Sequence, residues 1–323
     1  MKHRIVFLDD EGIGPDIVLP EMPFDHSWVS YRYTQPDQVV ERLRGATVAL
    51  TCSVAFREEH LAQLPDLQMI SLALTGTDIV DMEYCKARGI KVTNVPGYAT
   101  NTVAEHSLAM MFELFRKVSS YNRLMQQVQR GETEPRNIYF DFPIRDLCGR
   151  VLGIVGHGSI GKRVAELGRA IGMKVFFYDR DGRYVGPEFT SMEKLLQVSD
   201  VLMITCPLTE ETRDLVGAAE LAQMKRDAIL INTGRGGIVN EGALIEVMLA
   251  GRIGGAALDV LVDEPVQPDN PIMQLIGMHN FILTPHVAWS SKDAMQYLIS
   301  RSVENINEFV FSRADARLSS TAD

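Results

Sequence analysis

Short apolar runs alternate with stretches that carry apolar residues at helical spacing along most of this 323-residue chain. In the first third, the runs at 4–8, 28–33, 47–51, 69–74 and 90–93 read as strands, and 37–44, 58–63 and 81–88 read as helices. The proline-rich stretch 14–23 reads as a loop. Regular strand–helix alternation of this kind predicts a small parallel-sheet domain. Its strand at 69–74 runs into Thr75-Gly76-Thr77-Asp78, a loop at a strand's carboxyl end, where open α/β sheets bind ligands. Asn94-Val95-Pro96-Gly97 then reads as a turn and hinge. The stretch 102–129 reads as one long helix, with a wide apolar stripe from Ala104, Leu108, Met111, Phe112, Leu114 and Phe115 suited to a core or a dimer interface. An aromatic loop follows at 131–148, carrying Tyr139, Phe140 and Phe142.

The alternation then resumes on a stretch that carries chemistry. The β-branched run 151–155 reads as a buried strand and ends in Gly156-His157-Gly158-Ser159-Ile160-Gly161. A helix with Val164, Leu167 and Ile171 on one face follows, and then a strand at 174–178 that ends in Asp179. Gly156 suits a tight turn, Gly158 lets backbone approach a pyrophosphate held at the helix N-terminus, and Gly161 lets helix and strand pack closely. Asp179 can accept hydrogen bonds from the ribose hydroxyls of an adenosine. Glycine turns are common, but strand, helix and acid together predict a dinucleotide-binding unit. Beyond it, helices are expected at 191–198, 217–224 and 241–250, and strands at 200–205, 228–232, 253–260 and 281–284. A closing helix is expected at 293–311. Two adjacent α/β domains predict a cleft, and function is expected there.

Composition narrows the partners. A formal net charge of −10 argues against nucleic acid and against an anionic membrane surface, both of which need a basic face. It leaves room for an anionic small molecule held by one or two arginines. Cys52, Cys85, Cys148 and Cys206 have no metal-ligand spacing and read as mostly buried thiols in a reducing compartment, so no metal is expected. The acids at 9–11 interrupt the first apolar run too early for a signal peptide, and no run has membrane-spanning length. The expected location is cytoplasmic.

Three polar residues fall just past strands of the second half. Arg235 follows the strand at 228–232, Glu264 the one at 253–260 and His286 the one at 281–284. Parallel strands present their carboxyl ends together, so all three should open onto the edge that carries the glycine loop. A keto oxygen gains negative charge as a hydride arrives, so a proton donor and a cation must be aimed at it. His286 can donate the proton, Glu264 would favour the charged imidazole, and the planar fork of Arg235 can span a carboxylate and a keto oxygen. Backbone N–H groups at Thr75 and Gly76 would complete a carboxylate site. Each residue alone is as often structural; their joint placement predicts catalysis.

The sequence resembles the D-isomer-specific 2-hydroxyacid dehydrogenases over nearly its whole length. The resemblance is carried by Asn94-Val95-Pro96-Gly97 through Val103-Ala104-Glu105-His106, by GHGSIG, and by Cys206-Pro207-Leu208-Thr209 with Thr212. INTGRGG at 231–237, GGAALDV at 254–260 with Glu264-Pro265, and TPHVAW at 284–289 complete it. It implies Arg235, Glu264 and His286 as catalytic residues. It also implies cofactor contacts from Thr102, Gly156, His157, Gly158, Ser159, Ile160, Gly161, Asp179, Thr205, Cys206, Pro207, Thr212, Thr233, Gly234 and Asp259, the last to the nicotinamide amide. The implied fold is α/β with two doubly wound parallel sheets. One is a flavodoxin-like substrate domain at 1–101, completed by 289–323; the other is a Rossmann NAD-binding domain at 102–288. A homodimer built partly on the long helix is also implied.

Within the family, Pro23-Phe24 with Trp28, the run 139–144 and Trp289 resemble the glycerate dehydrogenase (hydroxypyruvate reductase) branch. That implies reduction of hydroxypyruvate, and also of glyoxylate, to the D-2-hydroxy acid. Other members act on D-lactate or phosphoglycerate, and a non-catalytic NAD(H)-sensing binding protein of the corepressor type is the rival from another class. Asp179 favours NAD, because a 2′-phosphate would meet like charge. Arg180 and Arg183 keep NADP as the lesser alternative.

Overall fold

The structure, a computed structural model, describes residues 2–184 and 186–320; the last residues of the expected closing domain segment, 321–323, lie outside them. The chain begins with β1 (His3–Phe7), β2 (His26–Ser30), α1 (Val39–Leu43), β3 (Val48–Thr51), α2 (Glu58–Leu61), β4 (Met69–Leu72), α3 (Met82–Arg88) and β5 (Lys91–Thr93). It continues with α4 (Thr100–Arg116), α5 (Val118–Gln129), β6 (Val151–Val155), α6 (Ser159–Ala170), β7 (Lys174–Tyr178), β8 (Phe189–Thr190), α7 (Met192–Val198) and β9 (Val201–Ile204). The last part holds α8 (Ala218–Gln223), β10 (Ile229–Asn232), α9 (Glu241–Leu249), β11 (Gly255–Leu258), β12 (Phe281–Leu283) and α10 (Lys292–Ser320). The chain divides into two compact units, Met1–Ala99 with Ser290–Asp323, and Thr100–Trp289.

In the first unit five parallel strands lie in the order β2-β1-β3-β4-β5, a doubly wound sheet. Its central strands β3 and β4 are buried throughout because both faces of the sheet are covered. Val6, Ala49, Ile70 and Leu72 pack with Leu43 and Leu61 of α1 and α2. Ile5, Val48 and Met69 face the other way, onto Val303 and Ile306 of α10. The Ser71 hydroxyl donates to the Ser302 carbonyl at 3.2 Å beneath that helix. β2 starts at His26 rather than 28, because its register on β1 pairs His3 with His26 and Phe7 with Ser30.

In the second unit seven parallel strands take the order β12-β11-β10-β9-β6-β7-β8. The order reverses between β6 and β9, so the crevice at the carboxyl ends of these two strands is where such sheets take a nucleotide. One face is packed by α4 and α6, with Ala104, Met111 and Val164 on Leu152, Ile154 and Ile231. The other carries α7, α8 and α9, with Leu195, Leu221 and Leu244 on Leu202, Leu230 and Leu258.

Two expectations change here. The long helix at 102–129 is two helices, broken at Lys117, whose φ is 57°. The break lets the buried Lys117 ammonium donate to the His279 carbonyl at 3.1 Å, while the Glu113 carboxylate accepts the Ser119 N–H at the start of α5. The cysteines are not mostly buried: Cys85 is buried, Cys52 and Cys206 are partly so, and Cys148 is exposed. All four are free thiols. Among the described residues no helix is long and apolar enough to cross a membrane.

Candidate active site

The turn out of β6 is shaped by two glycines. Gly156 has φ +123°, and a Cβ there would lie 2.8 Å from the Cys206 N–H nitrogen and from the Thr205 hydroxyl. At Gly161 a Cβ would lie 2.0 Å from the Gly156 carbonyl oxygen, so only glycine lets α6 start this close to β6. Above Gly158 a Cβ would meet nothing within 4 Å. The first-turn N–H groups of Ser159 and Ile160 have no acceptor among the described residues, as the cradle for an anion at a helix N-terminus requires.

Neighbouring side chains frame this cradle. The Thr205 hydroxyl reaches back toward the Val155 and Gly156 carbonyls at 3.4 Å. The Thr212 hydroxyl donates to the Pro207 carbonyl at 2.8 Å and accepts the Thr209 N–H at 2.7 Å, closing the loop after β9. Burial pushes the Cys206 thiol up to about 11, so it stays protonated at neutral pH. His157 packs edge-on against Phe177, Tyr184 and Phe189 at centroid distances of 4.8, 4.6 and 5.0 Å. Burial first and the Lys162 ammonium second hold its pKa below the ordinary value, so the ring is neutral at pH 7. Asp179 stands just past β7, the strand beside β6. Its two oxygens accept the Arg183 and Tyr184 N–H groups at 3.1 Å each, and each oxygen keeps capacity for a second donor. An open cradle at a helix N-terminus with a carboxylate on the adjacent strand fits a dinucleotide.

Arg235, Glu264 and His286 follow β10, β11 and β12 on the same edge. His286 Nδ1 lies 2.7 Å from Glu264 Oε2. Glu264 Oε1 accepts the Leu261 N–H at 2.8 Å, which fixes the carboxylate from its other side. Burial acts to raise the Glu264 pKa. It is outweighed by the His286 bond, the Leu261 amide and the positive fields of His286 and Arg235, which hold the carboxyl below its ordinary value. Glu264 is thus an anion at neutral pH, with its charge directed at the imidazole. Arg235 is exposed, and the one hydrogen bond of its side chain among the described residues runs from Nη1 to the Gly234 carbonyl at 2.9 Å. No carboxylate pairs with it among the described residues, so most of its fork is available to a ligand. The Asn232 amide braces this turn by accepting the Gly234 N–H and donating to the Arg235 carbonyl.

Sequence reasoning missed the supporting work of three residues. The carboxylate of Asp259 is fully enclosed; it accepts the Thr284 hydroxyl at 2.5 Å and the Val287 and Ala288 N–H groups at 3.0 Å each. The Asp259 carbonyl accepts the His286 N–H at 2.8 Å. Asp259 therefore ties down the turn on which His286 sits at φ 54°, a left-handed conformation that histidine adopts more readily than most residues. His106 Nε2 lies 3.2 Å from the Thr284 hydroxyl, extending this network to α4. Ser107 and Thr233 share a hydrogen bond at 2.9 Å, which anchors α4 to the end of β10. An acid closing a buried strand was the available signal for the bracing by Asp259; nothing local marks that of His106 or Ser107.

In the first unit, Thr75 and Gly76 follow β4. The Thr75 carbonyl accepts from the Asn94 amide at 2.6 Å, and the Thr75 hydroxyl donates to the Val95 carbonyl at 3.4 Å. The Thr75 and Gly76 N–H groups have no acceptor among the described residues. In the second unit, Thr102 lies in the first turn of α4.

Strand order, glycine cradle and the paired imidazole and carboxylate together describe a dinucleotide-dependent α/β enzyme. The family profile "D-isomer specific 2-hydroxyacid dehydrogenase, NAD binding domain" matches residues 108–288. A glycerate dehydrogenase from Methylorubrum extorquens is 43% identical over 316 residues, spanning 96% of this chain and 97% of that protein. A hydroxypyruvate reductase from Blautia hydrogenotrophica is 31% identical, spanning 86% of each chain. Among solved structures, the TT0316 protein from Thermus thermophilus superposes with a TM-score of 0.81 at 30% identity, covering 94% of this chain and 95% of that one. The chain belongs to the D-isomer-specific 2-hydroxyacid dehydrogenase family, and NAD is its cofactor.

Proposed function

We propose that the protein reduces short 2-keto acids with NADH, hydroxypyruvate foremost and glyoxylate beside it, giving D-glycerate from hydroxypyruvate. The observation that carries this reading is the 2.7 Å pair between His286 Nδ1 and Glu264 Oε2 at the strand edge that bears the glycine cradle. The likeness to a glycerate dehydrogenase along 97% of its length supports the choice of substrate.

When bound, NADH supplies the hydride. The residues of the chain do the rest. With Nδ1 engaged by Glu264, the imidazolium of His286 has only Nε2 from which to deliver a proton, and it gives that proton to the keto oxygen as negative charge gathers there. In the reverse direction the same nitrogen takes the hydroxyl proton. Glu264, held by the Leu261 N–H on its other oxygen, fixes the orientation of the ring. Arg235 binds the substrate carboxylate and the keto oxygen through its fork. Gly156, His157, Gly158, Ser159, Ile160 and Gly161 hold the pyrophosphate side of the cofactor and Asp179 its adenosine ribose. Thr102, Thr205, Cys206, Pro207, Thr212, Thr233 and Gly234 would line its remainder; the Asp259 carboxylate, enclosed by Thr284, Val287 and Ala288, braces the His286 turn rather than meeting the nicotinamide amide.

Assembly and location belong to the same proposal. Phe140 is 87% exposed, and Val118, Met125, Ile138 and Ile144 are also exposed along α5 and the arm that follows. This apolar surface supports a homodimer. Four free thiols support the cytoplasm. The test is NADH oxidation by the purified protein over hydroxypyruvate, glyoxylate and pyruvate, with the chirality of the product determined. Fastest turnover of hydroxypyruvate to D-glycerate is expected. Tight NADH binding without turnover of any keto acid would overturn the proposal in favour of a sensing protein.

A further inference from the structure

Just past Asp179, two arginines stand in the turn that follows β7, and both are engaged. Arg180 Nε and Nη2 donate to the two oxygens of Asp181 at 2.9 and 3.3 Å, and Arg180 Nη1 donates to Glu211 Oε2 at 2.6 Å. Arg183 Nη2 lies 3.0 Å from Asp181 Oδ2. The two carboxylates come from different places. Asp181 is in the turn after β7, and Glu211 is in the loop after β9 beside Thr212. The turn is drawn back toward the glycine loop. Its Arg183 and Tyr184 N–H groups bond to Asp179, and the Tyr184 ring stacks on Phe189 at 4.9 Å and meets His157 edge-on at 4.6 Å.

We propose that Asp181 and Glu211 set the cofactor preference by holding Arg180 and Arg183 in internal ion pairs, so that the arginines cannot serve a 2′-phosphate. This rests on the nucleotide reading of the site. Exposed ion pairs contribute little to stability, so folding gives little reason for two guanidiniums to share two carboxylates here. A phosphate dianion is a strong arginine ligand and would compete for one guanidinium, but charge balance opposes it. Asp179, Asp181 and Glu211 outnumber Arg180 and Arg183, so the rim is negative before a phosphate arrives. Freeing an arginine also strands its carboxylate beside the incoming anion. Asp179 discriminates through the ribose hydroxyls, and Asp181 with Glu211 discriminates by denying the compensating cations.

The test is binding of NADH and NADPH to the full-length protein, measured by cofactor fluorescence without any keto acid, in wild type and in the isosteric D181N/E211Q variant. NADPH affinity should rise about tenfold or more, with NADH affinity changed by less than about threefold. Adding R180A and R183A to that variant should remove the gain. An NADPH-to-NADH affinity ratio equal to wild type, in a variant with unchanged thermal stability, would overturn the proposal. A gain that persists without the arginines would do the same. Failure of wild type to bind NADH at all would overturn the nucleotide reading itself, a separate and visible outcome.

Discussion

Replacing Glu264 with Gln removes one negative charge and keeps the shape of the side chain. The native carboxylate is fixed at both oxygens, by His286 Nδ1 at 2.7 Å and by the Leu261 N–H at 2.8 Å. A hydrogen bond between charged partners contributes about 1.5–3 kcal/mol. The His286 and Glu264 side chains are 39% and 36% exposed, so water screens the pair and the lower end of that range applies. About 1.5 kcal/mol corresponds to about a tenfold loss in rate. The loss should fall on kcat, because the pair is strongest when the imidazole carries the proton to be delivered. The assay is the initial rate of NADH loss at saturating hydroxypyruvate over a range of pH, with NADH affinity measured separately. Burial raises the Glu264 pKa, but the His286 bond, the Leu261 amide and the nearby positive charges together hold it below 4.5. The carboxylate is charged above that value, so any wild-type acid limb due to Glu264 lies below pH 4.5, and the Gln variant has none. Wild-type kcat in E264Q, or a loss seen only in NADH affinity, would refute the reasoning.

Two further changes probe the scaffold. In G161A the new Cβ would stand 2.0 Å from the Gly156 carbonyl, so α6 must move from β6. NADH affinity should fall about tenfold and thermal stability by about 1–3 kcal/mol; wild-type values for both would contradict the packing described. Burial first and Arg145 second lower the Lys117 pKa from 10.5 to about 8. The unfolded chain therefore binds more protons than the native state between those values, and Lys117 makes stability rise with pH across them. In urea melts from pH 8 to 10.5, K117M should lack that rise; a parallel pH dependence in the two proteins would sink the assignment.

Much of this was legible because local signals and global fold agree. Buried parallel strands read as apolar runs, Asp81, Ser191 and Asn240 cap α3, α7 and α9 where the helices were expected to begin, and Gly156 and Gly161 of the β6–α6 turn each have a steric reason. Strand ends placed Arg235, Glu264 and His286 on one edge, and the structure adds the contact between the last two. What was not legible depends on side chains distant in sequence. The break at Lys117 answers to a carbonyl 162 residues away, and no periodicity in α4 or α5 could announce it. The enclosure of Asp259 by Thr284, Val287 and Ala288 likewise appears only when β11 and β12 are side by side. The pairing of Arg180 and Arg183 with Asp181 and Glu211 removes from the site two cations that the sequence left as an argument for NADP.

The central claim is that His286, oriented by Glu264, delivers the proton while the glycine cradle independently holds the cofactor. The most direct measurement is kcat for hydroxypyruvate beside the NADH dissociation constant in H286A. The account expects kcat to fall by about 10²–10⁴-fold with NADH affinity within about threefold of wild type. Equal losses in both, or retained turnover with intact binding, would contradict it.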